Sequence, residues 1–170
     1  MIASSRMLMF FALAGCFGVT MAFAGGGSLK FDIEERGHPE LRYSRDNKSM
    51  FYVGCGRAFG LHAVYPGRAK KPGDEAAITI SNGSTRMQFK GEIDSSYEDD
   101  PPNTTHFLQW DLGFRRQDPG LFGARWKRLE HHFLDLLDSG KSLTISAEGK
   151  SYVLPAVHIR GWKRRFKERC

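Results

Sequence analysis

The sequence lacks the short motifs that mark most catalytic and metal sites. It contains no HExxH or CxxC pattern, no glycine-rich phosphate loop and no serine in a nucleophile elbow. Among its six histidines, His131 and His132 are adjacent and so cannot share one face of a helix, and a zinc site would need partners distant in the sequence. We therefore assign no catalytic residue, no metal ligand and no cofactor from the sequence.

Low cysteine content and the absence of repeats exclude several classes of protein. Three cysteines in 170 residues are too few for a disulfide-dense small protein, and 19 glycines without a three-residue period exclude a collagen-like chain. A content of 41% hydrophobic and 12% aromatic residues excludes a disordered tail. The length predicts one domain that is large enough to bury a core of its own.

Residues 1–24 have the layout of a secretory signal peptide. Arg6 precedes an apolar stretch over residues 7–21, and Ala22–Ala24 places small residues at the two positions that a signal peptidase recognises. The stretch is short for a membrane-spanning helix, which needs about 20 apolar residues. We predict cleavage after Ala24, which leaves residues 25–170 as a single α+β domain that is periplasmic or secreted.

A lipoprotein anchor is the alternative fate of the leader. Leu13-Ala14-Gly15-Cys16 resembles a lipobox, in which the cysteine is lipidated and begins the mature chain. However, apolar residues continue past Cys16, where a lipoprotein normally turns polar. Either route takes the chain out of the cytoplasm into an oxidising compartment.

Cys55 and Cys170 remain after removal of the leader, and we expect them to form a disulfide. Cys170 is the last residue, so the bond would attach the C-terminal element to the body of the domain. In the chain-entropy model a loop of this length contributes up to about 4–5 kcal/mol of stability. The alternative makes Cys55 a nucleophile with His62 as its base, but it requires a free thiolate, which a disulfide forbids.

The net charge of +6 is concentrated at the C-terminus. Residues 25–159 hold equal numbers of acidic and basic side chains, whereas residues 160–170 hold six basic and one acidic. Trp162 and Phe166 are four residues apart, which puts both rings on one face of a helix. We weigh an amphipathic helix packed on the body against a surface for an anionic envelope component, with nucleic acid disfavoured by export. The candidate surface consists of Arg160, Trp162, Lys163, Arg164, Arg165 and Phe166.

The pattern of turns and apolar residues predicts an α+β fold. Residues 76–80 and 85–89 flank Asn82-Gly83, the favoured centre of a type I′ hairpin turn, and residues 143–146 and 152–154 form a second hairpin. Apolar residues at spacings of four and three predict an amphipathic helix over residues 119–139. We therefore expect a predominantly antiparallel sheet, built of hairpins and covered by this one helix, with a short helix at the C-terminus.

Two further segments are assigned to loops. Residues 34–48 are charged and contain Gly37 and Pro39. Residues 94–105 contain four acids and two prolines, and they do not match the spacing of a calcium-binding EF-hand loop. We expect the acidic segment to be solvated.

The chain resembles small exported proteobacterial proteins of the invasion-associated locus B type. The shared elements are the β-rich run that ends at Cys55, the segment Leu136–Leu143, the segment Tyr152–Pro155 and a terminal helix that closes on Cys170. The resemblance covers residues 50–170. It implies a periplasmic β-rich domain with one disulfide and no known catalytic residue.

These observations favour a non-enzymatic exported domain that binds an anionic envelope component or a protein partner. One alternative is an inhibitor or immunity-like protein that blocks a hydrolase, docking through the acidic segment with Tyr97 or through an exposed sheet edge. A further alternative is an enzyme, which would need a pocket with converging histidine and carboxylate side chains. Contact with a membrane surface is compatible with the basic C-terminus, and the oligomeric state stays open.

Overall fold

The fold is built on one curled antiparallel sheet. A computed structural model describes residues 27–33, 38–55, 59–110 and 129–169. Nine strands lie in the order β1-β2-β3-β4-β7-β6-β5-β8-β9 and form a curled half-barrel. The strands are Gly27–Ile33, Pro39–Arg45, Lys48–Cys55, Phe59–Val64, Glu75–Ser81, Arg86–Asp94, His106–Trp110, Leu143–Ala147 and Lys150–Leu154, numbered β1 to β9.

Strand β5 shows why these segments are extended. Ala76, Ile78 and Ile80 are buried, and the residues between them are partly exposed. Successive side chains of a strand point to opposite faces, so this alternation buries one face of the sheet. The apolar face of the half-barrel lies inside, and it forms one hydrophobic core.

Both predicted hairpins are confirmed, although their turns differ from each other. Ser81 pairs with Arg86, so the first turn contains four residues in place of the expected two-residue type I′ turn. The Asn82 side chain accepts hydrogen bonds from two backbone N–H groups of this turn. In the second hairpin, Glu148 and Gly149 have φ of 49° and 78°, the left-handed geometry that a two-residue turn requires.

A third hairpin lies where the sequence predicted a loop. The assignment of residues 34–48 to a loop is wrong for strand β2, which begins at Pro39 and pairs with both β1 and β3. Asp46 and Asn47 form the turn into β3 with φ of 51° and 61°. The buried residues Leu41 and Tyr43 alternate with charged ones, a pattern that the density of charge obscures.

The predicted fold class is wrong, because the protein is mostly β and no long amphipathic helix covers the sheet in the described ranges. About half of the described residues lie in strands. Of the predicted helix over residues 119–139, the structure describes a π-helical turn, Leu129–Leu134, which continues into a short helix α1, Asp135–Leu137. Residues 119–128 lie outside the described ranges. The sheet curls on itself instead, and the Tyr152 hydroxyl of β9 donates a hydrogen bond of 3.2 Å to the Met50 carbonyl of β3.

The helical residues that are described fill gaps in the core. Phe133 is fully buried, and its ring meets the edges of Phe59 and Phe89 at centroid distances of 6.0 and 4.8 Å. The predicted C-terminal helix is confirmed as α2, Trp162–Arg169, whose Trp162 and Phe166 are buried. No helix within the described part of the chain is long and apolar enough to cross a membrane.

Candidate functional site

A pocket opens at one end of the half-barrel, and we call it the mouth pocket. Its volume is about 460 Å³. It lies between the β2–β3 turn, the end of β4, the segment before β7 and the start of β9. The walls are mainly apolar and are formed by Met50, Val64, Tyr65, Pro101, Pro102 and Tyr152.

The rim of the mouth pocket carries more positive than negative charge. Arg45, Lys48 and Lys150 line it together with the single acid Asp46. The Arg45 guanidinium lies 3.6 Å from the Asp46 carboxylate, and the Lys48 ammonium donates to the carbonyl of Glu98 at 2.7 Å. The Lys150 side chain is exposed at the start of β9. An anionic group at the rim would therefore meet a positive environment.

Hydrogen bonds fix the two sides of the pocket relative to each other. The Tyr65 hydroxyl donates to the Glu148 carboxylate at 3.1 Å, and the backbone N–H of Arg68 donates to the same carboxylate at 2.9 Å. These contacts lower the pKa of Glu148, the N–H of Arg68 having the largest effect. On the floor, burial raises the pKa of the Tyr152 phenol, which stays neutral and bonds to Met50. The walls are thus held in place by the protein itself.

The predicted C-terminal surface is only partly exposed. Trp162 and Phe166 are 1% and 0% exposed and pack against Phe31, so these two rings are not available to an outside partner. Their burial matches the packed-helix interpretation of the terminus. The four basic members are less buried than these two rings, and their binding to an anionic partner stays a prediction.

Three of those basic side chains have partners within the protein. Lys163 bonds to Asp135, and Arg164 bonds to Glu168 at 2.7 Å. The Arg165 guanidinium lies 4.8 Å from the centre of the Phe31 ring. Of these partners, Asp135 adds a negative charge from outside residues 160–170, so the net charge at this surface is lower than that of the terminal segment alone.

The cysteines are described only in part. Cys55 ends β3 and is 8% exposed, whereas Cys170 and residues 1–26, which include Cys16 and the predicted cleavage point, lie outside the described residues. The disulfide and the signal peptide stay predictions. Cys55 cannot form a dyad with His62. His62 pairs with Tyr52, so these two side chains lie on the same face of the sheet, and Cys55, three residues after Tyr52, lies on the opposite face.

A second site lies on the convex face of the sheet and was not predicted. Every residue of β4 is buried, because the acidic segment 94–105 covers the outer side of this strand. Backbone N–H groups of Ser49 and Tyr65 donate to the carbonyls of Asp99 and Thr105, each at 2.7 Å. The expectation that this segment is solvated is wrong at Asp100, which is 6% exposed.

Three aromatic rings stack across strands β3, β4 and β7 beneath this cover. The centroids of Tyr52 and His62 are 4.9 Å apart, and those of His62 and His106 are also 4.9 Å apart, with the rings within 19° of parallel. Tyr97 closes the stack with its ring 6.2 Å from that of His62. Arg42 lies over the Tyr52 ring at 5.6 Å.

His62, His106 and Asp100 form what we call the histidine cluster. One ligand atom of each lies within 4.8 Å of those of the other two. The two imidazoles are 1% and 0% exposed. Burial is the main cause that lowers the pKa of both, and the neighbouring Asp100 opposes it. Burial thus favours the neutral form of both rings, the form in which imidazole binds metals.

The signals for this cluster are visible in the sequence but weak. His62 interrupts the apolar run Phe59–Val64, which indicates a buried imidazole, and His106 directly follows the acidic segment. Only the pairing of β4 with β7 brings the two together. Comparison of the chain with family models, curated proteins and solved structures gave no match. The resemblance to proteins of the invasion-associated locus B type therefore stays a prediction.

Proposed function

We propose that the protein is an exported, non-enzymatic binding domain, and that it holds an anionic amphiphile of the cell envelope in the mouth pocket. The observation that carries this proposal is an apolar pocket with a basic rim. Its volume of about 460 Å³ falls in the range of about 300–1,000 Å³ that is usual for small-molecule sites. The open ends of barrels are common positions for such sites.

The lining of the pocket supports an amphiphile in particular. Met50, Val64 and Tyr152 give a deep apolar wall for a hydrocarbon body, since burial of apolar surface is favourable. The charged side chains stand at the rim, where a carboxylate or phosphate head would stay in contact with water. A charge-assisted contact with Lys150 would orient the head group.

The proposal is tested by titrating the purified protein with cis-parinaric acid, a fatty acid that fluoresces in apolar surroundings. Decanoate, decanol and decyltrimethylammonium then compete for the bound probe. Because a hydrogen bond to a charged group contributes about 1.5–3 kcal/mol, decanoate should compete about tenfold better than decanol. Added salt should reduce this difference by screening the rim.

Amino-acid substitutions test whether the probe binds in the mouth pocket. Lys150→Glu should weaken decanoate binding, whereas Lys141→Glu, an exposed lysine that does not line the pocket, should leave it unchanged. Ser151→Trp should fill the pocket and abolish probe binding while the circular dichroism spectrum is retained. No probe binding, or equal competition by the three amphiphiles, would refute the proposal. Alanine at all four basic residues of the C-terminal surface should have no effect on the probe.

A protein partner is a second candidate, because two large apolar side chains are exposed. Tyr97 in the acidic segment is 54% exposed, and Val153 on the edge strand β9 is 45% exposed. An edge strand can pair with a strand of another chain. An inhibitor or immunity-like role would give a stoichiometric hydrolase complex in a pull-down from envelope extract, and Val153→Lys would disrupt that complex.

A further inference from the structure

The histidine cluster contains buried polar atoms without a hydrogen-bond partner in the part of the chain that the structure describes. Within that part, neither ring nitrogen of His62 is hydrogen-bonded, although the side chain is almost fully buried. Leaving a buried polar group unsatisfied costs about 1–3 kcal/mol. A partner from solution would remove this cost.

Asp100 indicates that this partner is a cation. One carboxylate oxygen of Asp100 accepts the backbone N–H of Tyr97 at 2.8 Å, while the other lies 3.4 Å from Nδ1 of His106. Among the described residues, this is the one ion-pair contact that Asp100 makes. A water molecule could complete the hydrogen bonds, whereas a cation would also balance the charge of the buried carboxylate.

We propose that His62, His106 and Asp100 bind one zinc ion. Two imidazoles and a carboxylate are a set of ligands that zinc prefers, and the residues come from two paired strands and the segment that covers them. Nε2 of His106 is held by the Thr104 hydroxyl at 2.7 Å, which leaves Nδ1 for the metal. Metal-binding histidines characteristically have such a partner on their other nitrogen.

Zinc requires the cluster to rearrange. Bonds of about 2.0–2.1 Å at tetrahedral angles place neighbouring ligand atoms about 3.4 Å apart, whereas the ligand atoms here lie within 4.8 Å of one another. The two imidazoles are stacked within 16° of parallel, so one ring must rotate before both can point a nitrogen at the same ion. Asp100 lies on the covering segment, and movement of its carboxylate towards the rings would close the remaining distance. Within the described residues, Oδ2 of Asp94 is a buried carboxylate oxygen without a hydrogen-bond partner, and the Asp94 backbone pairs with that of His106. Its charge would further favour a divalent ion.

The test is equilibrium dialysis of the purified, chelator-treated chain against Zn²⁺, with metal content measured by plasma mass spectrometry. We expect one ion per chain. Asp100→Asn and His62→Gln should each weaken binding by on the order of 100-fold or more, since even partners outside the ligand shell are worth 10–100-fold. His158→Gln, which changes an exposed histidine, is the matched control and should bind like the unmodified chain.

The visible absorption spectrum of the unmodified chain with Co²⁺ tests metal binding without any variant, so the result does not depend on how the variants fold. Co²⁺ bound by two nitrogens and a carboxylate should give visible absorption bands that Zn²⁺ displaces in a one-to-one ratio. The proposal is overturned if neither metal binds, if His158→Gln reduces binding as much as His62→Gln does, or if a high-resolution structure of the zinc-treated protein shows only water in the cluster. None of these results depends on the mouth pocket.

Discussion

Replacing Phe166 by alanine tests whether helix α2 is part of the core or an attachment on the surface. The Phe166 side chain is fully buried. Its ring contacts those of Phe31, Phe59 and Trp162 at centroid distances of 6.5, 6.1 and 6.1 Å. The truncation therefore removes one ring from a cluster of four and leaves a cavity beneath α2.

The expected cost follows from this burial. Phe→Ala substitutions in cores cost about 3–5 kcal/mol, because the lost transfer free energy is added to that of the cavity. Since domains of this size are stable by about 5–15 kcal/mol, the loss would be a large fraction of the total. With a urea m-value of about 2 kcal/mol/M, the unfolding midpoint should fall by about 2 M.

Urea unfolding followed by far-ultraviolet circular dichroism measures this shift. Arg164→Ala is the matched control on the same helix, because Arg164 is 74% exposed and its pair with Glu168 is solvent-accessible. An exposed i,i+4 pair is worth about 0.3–0.5 kcal/mol, so this midpoint should barely move. If the midpoint of Phe166→Ala stayed within about 0.5 M of the unmodified chain, the helix would not be docked as described.

Two further predictions concern a glycine and a carboxylate. Gly91→Ala should lower the free energy of unfolding by about 1–3 kcal/mol or more, because a Cβ there would lie 2.3 Å from the Leu108 carbonyl oxygen. Gly54→Ala is the control and should be tolerated, since the nearest atom to its Cβ would be 3.9 Å away. Equal melting temperatures for the two variants would contradict this prediction. The N–H of Arg68 holds the pKa of Glu148 below its usual value. The ionised Glu148 carboxylate therefore stabilises the folded protein at pH values above its unfolded-state pKa, and this contribution is lost as the pH falls through its folded-state pKa. Thermal melts between about pH 5 and 3 should therefore show a steeper loss of stability for the unmodified chain than for Glu148→Gln, and parallel losses would contradict the assignment.

The parts of the fold that sequence predicts are those encoded by neighbouring residues. The hairpins at Asn82-Gly83 and at Glu148-Gly149 depend on a few residues with particular backbone preferences, and both form. Strand β2 is hard to predict because Pro39 and the charged residues around it are typical of a loop, although proline is acceptable as the first residue of a strand. Local chemistry thus predicts where a hairpin forms, although not always the type of its turn.

The covering layer could not be predicted in the same way. An apolar stripe shows that one side of a segment is buried, but not what buries it. Phe133 and Leu137 are buried as the stripe predicts, yet they contact a sheet that has curled around its own core. The same limit applies to Trp162 and Phe166, whose spacing fits both a buried helix face and an exposed aromatic surface. In the structure both side chains are buried and belong to the core.

The histidine cluster depends entirely on long-range pairing. His62 and His106 are brought to one face because Val64 pairs with His106 and His62 pairs with Leu108 in antiparallel register. A register shift of one residue would turn either ring to the other face of the sheet. No spacing rule along the chain contains this information, so no metal-binding motif marks the cluster in the sequence.

The acidic segment connects the two proposed sites. Asp100 faces the histidine cluster, while the next residues, Pro101 and Pro102, line the mouth pocket, and Thr104 contacts both His106 and the pocket. Proline restricts its own backbone and that of the preceding residue, so Asp100 and the two prolines form a conformationally restricted run. The acidic segment therefore contributes residues to both proposed sites within five consecutive positions, from Asp100 to Thr104.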